Sequence, residues 1–268
     1  MNDVLVVKLG GRALEAPGAL REFASALARL PRATLLVHGG GAEVTSWCTR
    51  LGIESAFHDG LRVTDDATLD VVTAVLAGLA NKRLVATLRA LGLDAVGLAA
   101  LDGGTVLATA HPDAAALGAV GAIASVEPSL LQTLLAQGRM PVLASIAADA
   151  QGALLNLNAD DAAAALAIAL GASDLVLLSD TPGLRLNGDI VPALAGAALA
   201  DALVHPDVAG GMLPKLRAAA HATGHGVGHA HIAAWSGPDT LAALLERGTG
   251  GTTITAAPAA RDKENAHA

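Results

Sequence analysis

The chain has 268 residues, a formal net charge of −8 and a pI near 5.5, a balance that excludes a nucleic-acid groove built on a basic surface. Hydrophobic residues make up 53% and aromatics only 1%, so the core is aliphatic, and a chain of this length needs no disulfide staples. The single cysteine, Cys48, rules out a disulfide framework within the chain and fits a reducing cytoplasm.

The first residues, MNDVLVVKLGG, lack the pattern of a signal peptide. VLVVKL reads as a buried strand that ends on Lys8 and runs into Gly10 and Gly11, ahead of a helical pattern over 18–30. ATLLVHG is a second strand, opening through HGGGAE into a helix over 43–51. DGLRVTDD precedes a long helix over 66–91, and DAVGL and MPVLASI are further strands. Between them, roughly 103–126 is rich in glycine and β-branched residues and reads as inserted hairpins. A helix over 128–137 follows, then a short strand in ALLNLNA and an alanine-rich helix over 160–170. DLVLLSD, a helix over 211–223, HAHIAAW and a helix over 238–246 complete the pattern.

Apolar strands alternating with helices predict an α/β fold with a mostly parallel open sheet covered on both faces. No strong linker divides the chain. A soft boundary near Gly171 separates 1–171 from 172–256, read as two lobes sharing one sheet, and 257–268 reads as a disordered tail. The run Ala218–Pro238 carries no Asp, Glu, Lys or Arg, but four histidines and its glycines make it unlike a membrane span.

The chain has only four lysines, Lys8, Lys82, Lys215 and Lys263, against thirteen arginines. Lys8 stands at a strand end beside one glycine loop, with a second in HGGGAE. Ligands of open α/β sheets collect beyond the strands' carboxyl ends, and bare glycine backbone with a following helix N-terminus suits an anion. Tight turn geometry alone is the plainer reading. The dinucleotide fingerprint and the Gly-Lys of a Walker loop are both missing.

Arg62 either forks onto a carboxylate or flanks a helix as a surface cation. Asn156, Asn158, Asp160 and Asp161 crowd one helix start, more polar residues than one cap needs. Lys215, after the glycines of GGMLPK, is either a ligand or a surface lysine. His221, His225 and His229 are spaced by four, as a metal site on a helix needs, but Gly224, Gly226 and Gly228 break such a helix.

Taken in order, KLGG, VHGGG, DGLRVTD, LAGLANK, AVGL, LLNLNADDAA, LLSDTPG and GGMLPK resemble the acetylglutamate kinases of the amino-acid kinase family. The resemblance covers nearly the whole chain, and LRVTD with NLNAD is its most specific part. It implies a three-layer αβα sandwich, with acetylglutamate binding and dimerisation in 1–171 and ATP binding in 172–256. The implied reaction passes a phosphoryl group from ATP, with Mg²⁺ on its phosphates, to the side-chain carboxylate of N-acetyl-L-glutamate. This is the second step of arginine biosynthesis.

By the same resemblance, Lys8 and Lys215 stabilise the transferred group and Asp160 holds them. Gly40, Gly41, Arg62 and Asn156 hold acetylglutamate. Gly10, Gly11, Asp180, Thr181, Pro182, Gly183, Leu184, Asp207, Val208 and Ala209 hold the nucleotide; no residue is assigned to a protein-bound metal. Where the family has Asp-Gly-Met, this chain has Gly210 in place of the aspartate. Arginine-inhibited members carry an extra N-terminal helix that this sequence lacks, which implies an arginine-insensitive homodimer. The rival readings are a sister kinase for a carrier-protein-linked aminoadipate and a non-catalytic ligand-binding protein of the same fold.

Overall fold

Six consecutive buried residues, Val4–Leu9, form β1 in the middle of the main sheet. In the computed structural model, which describes residues 3–10, 12–14, 16 and 18–256, its side chains alternate between two helical layers. Val4 and Val6 enter the core on one face, and Leu5, Val7 and Leu9 the core on the other, as the two-residue period of a strand requires. Gly11 and the tail from 257 lie outside the described residues.

Helix α1 (Ala19–Ala28), β2 (Ala33–His38) and α2 (Gly41–Arg50) follow, then a hairpin of β3 (Phe57–His58) and β4 (Leu61–Arg62). Helix α3 (Asp66–Thr73) starts at Asp65, whose carboxylate accepts the Thr68 amide, and continues through π-helical turns at Ala74–Ala80 into α4 (Asn81–Ala90). Next come β5 (Ala95–Ala99), β6 (Val106–Ala110), the short α5 (Ala114–Leu117), β7 (Val120–Val126) and α6 (Ser129–Ala136). β8 (Met140–Ala144), β9 (Ile146–Ala148), β10 (Leu154–Leu157) and α7 (Ala159–Ala169) complete the first part. The rest is β11 (Asp174–Ser179), the hairpin β12 (Arg185–Leu186) and β13 (Asp189–Ile190), β14 (Ala193–Ala195) and α8 (Gly196–Leu203). It ends with α9 (Met212–Gly224), β15 (His229–Ala234), α10 (Thr240–Arg247) and β16 (Thr252–Thr255).

The main sheet has eight strands in the order β14-β16-β15-β11-β1-β2-β8-β5, parallel except between β15 and β16. Helices α6, α7 and α9 pack on one face, and α1, α4 and α10 on the other, giving the αβα sandwich. β6, β7, β9 and β10 close a small barrel beside it, and the antiparallel β6–β7 pair is the insertion read at 103–126. β1 pairs with β11 from Leu5–Asp174 to Leu9–Leu178, so strands from before and after Gly171 share one sheet across that seam.

MPVLASI, read as one strand, is cut at Ser145, where the chain leaves the sheet for the barrel. The stretch Asp66–Ala90 has the length and mean hydropathy, 1.4, of a membrane span. It instead packs its apolar side on the protein through Val71, Val72, Val75, Leu76 and Leu88.

Candidate active site

Lys8 shares the face of Val4 and Val6, so its side chain leaves β1 toward α7. There Asn158 caps α7, its Oδ1 accepting the amides of Asp160 at 2.8 Å and Asp161 at 3.3 Å, which fixes the first turn. The Asp160 carboxylate, 4% exposed, meets Lys8 from the sheet and Lys215 from the first turns of α9. Lys8 Nζ is 2.7 Å from Oδ1, a close ion pair rather than an aligned hydrogen bond, while Lys215 Nζ donates to Oδ2 at 3.0 Å. Burial pushes the Lys8 pKa down; Asp160 opposes this and Lys215 adds to it. Burial alone would raise Asp160, but the two ammoniums override it and hold the carboxyl below the usual range. Two cations on one anion leave a net positive charge where β1 ends.

A cavity of about 240 Å³ opens beside this cluster, lined by Lys8 and Asp160 with Gly40, Gly41, Arg62 and Asn156. Gly40 and Gly41 form the start of α2, which has no side-chain cap, so helix amides face the cavity end of the loop. A Cβ on Gly40 would come within 2.8 Å of Leu76, whereas one on Gly41 would meet nothing within 4 Å. Arg62 is buried and donates to Ser55 Oγ at 2.9 Å, Gly41 O at 2.9 Å and Thr45 Oγ1 at 2.6 Å. Its guanidinium lies 4.7 Å from the Phe57 ring centre. No carboxylate pairs with it among the described residues, so this buried cation has neutral partners only. Asn156 Nδ2 donates to Thr64 Oγ1 at 3.2 Å, and Thr64 bonds the Arg62 carbonyl at 2.8 Å, linking the barrel to the β3–β4 hairpin.

None of the described residues read as nucleotide-binding lines that cavity; Gly10 lies against β11, and Asp180–Leu184 follow its carboxyl end. Gly10 donates its amide to Leu178 O at 2.8 Å, and a Cβ there would sit 2.8 Å from the same oxygen. Its bareness is therefore required by the close approach of β11, whatever it also offers a phosphate. Asp180 pairs with Arg12 from the loop after β1. The Thr181 hydroxyl lies 2.8 Å from that of Ser179. Gly183 leaves no room for a Cβ, which would be 2.9 Å from Thr252 Oγ1, and Pro182 lines a separate cavity with Gly248–Gly251. Leu184 and Val208 bury their side chains in the core, so they offer a ligand backbone only. Asp207, next to Val208 and Ala209, accepts the Asn187 amide at 2.7 Å and so ties the α8–α9 loop to the β12–β13 hairpin. Gly210, in place of the family's aspartate, adopts φ 54°.

Among the described residues no three His, Cys, Asp or Glu side chains converge on a metal position. The His221 and His225 rings meet at a tilt at the end of α9, while His231 turns to Asp174 at 3.1 Å. Asp161 faces a second, larger crevice of about 590 Å³ between α7, β7 and α9. The residue stands exposed to the crevice, and desolvation of its carboxyl there, together with Asp160, pushes its pKa up to about 6. Sequence reading passed over the part that Asn158, Ser145 and Leu76 take in lining the first cavity; Asn158 was visible as a cap, the other two carried no signal.

A parallel sheet with two lysines on one carboxylate at its carboxyl edge, beside an uncapped glycine-started helix, has the anatomy of an enzyme that handles phosphoryl groups. The model of the amino acid kinase family matches residues 3–234. An acetylglutamate kinase of Synechococcus sp. (strain RCC307) is 43% identical over 249 residues, covering 90% of this chain and 83% of the relative. One from Koribacter versatilis (strain Ellin345) is 41% identical over 246 residues, covering 90% and 94%. Among solved structures, smu.665 from Streptococcus mutans UA159 superposes with a TM-score of 0.80 at 28% identity, covering 95% of this chain and 99% of that one. The chain belongs to the amino acid kinase family.

Proposed function

We propose that the chain is an acetylglutamate kinase: ATP and N-acetyl-L-glutamate give N-acetyl-L-glutamyl 5-phosphate and ADP, a step of arginine biosynthesis. The observation that carries this reading is the Lys8–Asp160–Lys215 cluster at the mouth of a cavity holding an unpaired guanidinium. The acceptor is a carboxylate, already ionised at neutral pH, so no general base is required. The obstacle is the meeting of two anions while charge spreads over the phosphoryl oxygens, and catalysis is positioning and electrostatic stabilisation. Lys8 and Lys215 supply point charges to the transferred group, Asp160 holds both ammoniums in place, and the Gly40 and Gly41 amides add donors. Arg62 takes a substrate carboxylate that its neutral partners leave unmatched, and Asn156 orients the acetylglutamate.

In this reading 1–171 holds acetylglutamate and forms a homodimer, and 172–256 holds ATP through the loops of Asp180–Leu184 and Asp207–Ala209. Both Asp160 oxygens are taken by lysines, which suits a Mg²⁺ held by the nucleotide phosphates instead of a carboxylate cage. That ion neutralises phosphate charge when bound. The single buried cysteine suits a cytoplasmic enzyme.

The test is ADP release with Mg-ATP and N-acetyl-L-glutamate, run beside other acidic acceptors and with chelator added. Release that depends on acetylglutamate and magnesium is the expected result. Equal rates with unrelated acceptors, or none with any, would overturn the assignment. Light scattering checks the dimer.

A further inference from the structure

LAGLANK, one of the motifs that mark the chain, supplies no residue to the chemistry above, yet its Asn81 is fully buried behind the glycine loop. Asn81 Nδ2 lies 2.9 Å from Val142 O, 3.3 Å from Leu98 O and 3.0 Å from His38 Nε2. Its Oδ1 accepts Lys82 Nζ at 3.0 Å, and the same ammonium reaches Gly97 O at 3.2 Å. Carbonyls on one side and an ammonium on the other permit a single orientation of the amide. The NH₂ group therefore faces His38, and Nε2 must be an acceptor. The ring proton is then on Nδ1, which donates to Gly39 O at 3.0 Å. An imidazolium would set N–H against N–H, and burial and Lys82 also disfavour it. Gly97 makes the arrangement possible, because a Cβ there would fall 2.2 Å from Asn81 Oδ1.

The three carbonyls of the glycine loop are thus each held by a different donor. Gly39 O takes His38 Nδ1, Gly40 O takes the Val44 amide at 2.9 Å, and Gly41 O takes Arg62 at 2.9 Å. Fixing the Gly39 carbonyl fixes the plane of the peptide it shares with Gly40, and hence the direction of the Gly40 amide, since the peptide is rigid. We propose that His38, locked by Asn81 and Lys82 as the Nδ1–H tautomer, is a positioning residue for phosphoryl transfer that aims the Gly40 amide into the cavity. The inference rests on the kinase reading above.

His38→Ala, His38→Asn and His38→Gln separate this role from space-filling. Asparagine puts an N–H near the place of Nδ1; glutamine is closer in volume but reaches the place of Nε2. We expect kcat/KM to fall ~100-fold in His38→Ala and His38→Gln, the scale of a displaced donor, and to recover to within ~10-fold of wild type in His38→Asn. In ¹⁵N-histidine spectra of the wild-type enzyme, His38 is expected as Nδ1–H and unchanged while exposed histidines titrate. Its signal is assigned by loss in His38→Asn or, should that variant not fold, by its contact with Asn81. Glutamine rescuing as well as asparagine, near-normal activity in His38→Ala, or an Nε2–H or doubly protonated ring would each overturn the inference. A wild-type enzyme that releases no ADP with acetylglutamate overturns the kinase reading itself, and the role with it.

Discussion

Lys8 Nζ lies 2.7 Å from Asp160 Oδ1, and both side chains are under a tenth exposed. Lys215 completes the cluster from the far side, so the one carboxylate is shared by two ammoniums. Replacing either lysine by alanine is expected to lower kcat by ~100-fold or more, the scale of one lost electrostatic donor, with a smaller change in acetylglutamate KM. Steady-state ADP release reads this directly. A variant with near-normal kcat removes that lysine from the mechanism.

Removing the anion is expected to act on folding as well. Asp160→Ala leaves two largely buried cations facing each other, and urea unfolding should show a loss of about 3–5 kcal/mol, the usual cost of stripping one partner from a buried pair. A much smaller loss means that water reaches the lysines in the variant.

Arg62 spans three acceptors, on Ser55, Gly41 and Thr45, with a planar fork. Lysine is a point charge that cannot span them. Arg62→Lys is expected to weaken acetylglutamate binding by at least ~10-fold while ATP binding holds, on the scale of one lost bidentate charge-assisted pair. Calorimetry with each substrate alone distinguishes the two, and unchanged acetylglutamate affinity would remove Arg62 from that site.

Two glycines that look alike in the sequence part company in space. Gly10→Ala drives a methyl to 2.8 Å from Leu178 O and is expected to cost about 1–3 kcal/mol of stability. Gly41→Ala meets nothing within 4 Å, so its stability should stay within about 0.5 kcal/mol of wild type. Its methyl nevertheless adds bulk beside the substrate cavity, so its kcat/KM should fall. Thermal melts paired with kinetics test the contrast; a stable Gly10→Ala would refute the packing role.

That contrast also marks what the sequence could tell. Strand periodicity put Lys8 at a strand end, and the NLNADD cluster advertised a helix start, because both are local patterns. That Lys8, Asp160 and Lys215 meet on one carboxylate depends on β1 lying next to β2 and β11 and on α7 and α9 packing on the same face, which no local pattern states. Helix α8 was missed because it lies largely at the surface, with Ala202 alone buried, and β14 and β16 because they are only 3 and 4 residues long. His38 was legible only as a residue before glycines; its partner Asn81 is 43 positions away.

Desolvation and the neighbouring Asp160 push the Asp161 carboxyl up to about 6, against 3.8 for an ordinary aspartate. Between those values the folded chain keeps a proton that the unfolded chain releases, so the stability it contributes is fully present below 3.8 and lost as pH rises through about 6. Asp161→Asn removes that titration. The variant is expected to melt with wild type at pH 3.5 and above it at pH 7.5. Parallel melting curves across that range would show that Asp161 ionises as freely as a surface carboxyl.

The unbroken β1–β11 pairing has a mechanical consequence. The two halves of the chain have no gap in the sheet to swing about, so any opening between them is a twist distributed along the seam, resisted like a torsion bar by the hydrogen bonds from Leu5–Asp174 to Leu9–Leu178. Lys8 lies on that seam, and Asp160 sits on α7, which packs against β1. Lys215 is on α9, which packs on α7, so its bond to Asp160 joins two neighbouring helices of one layer across the chain's two halves.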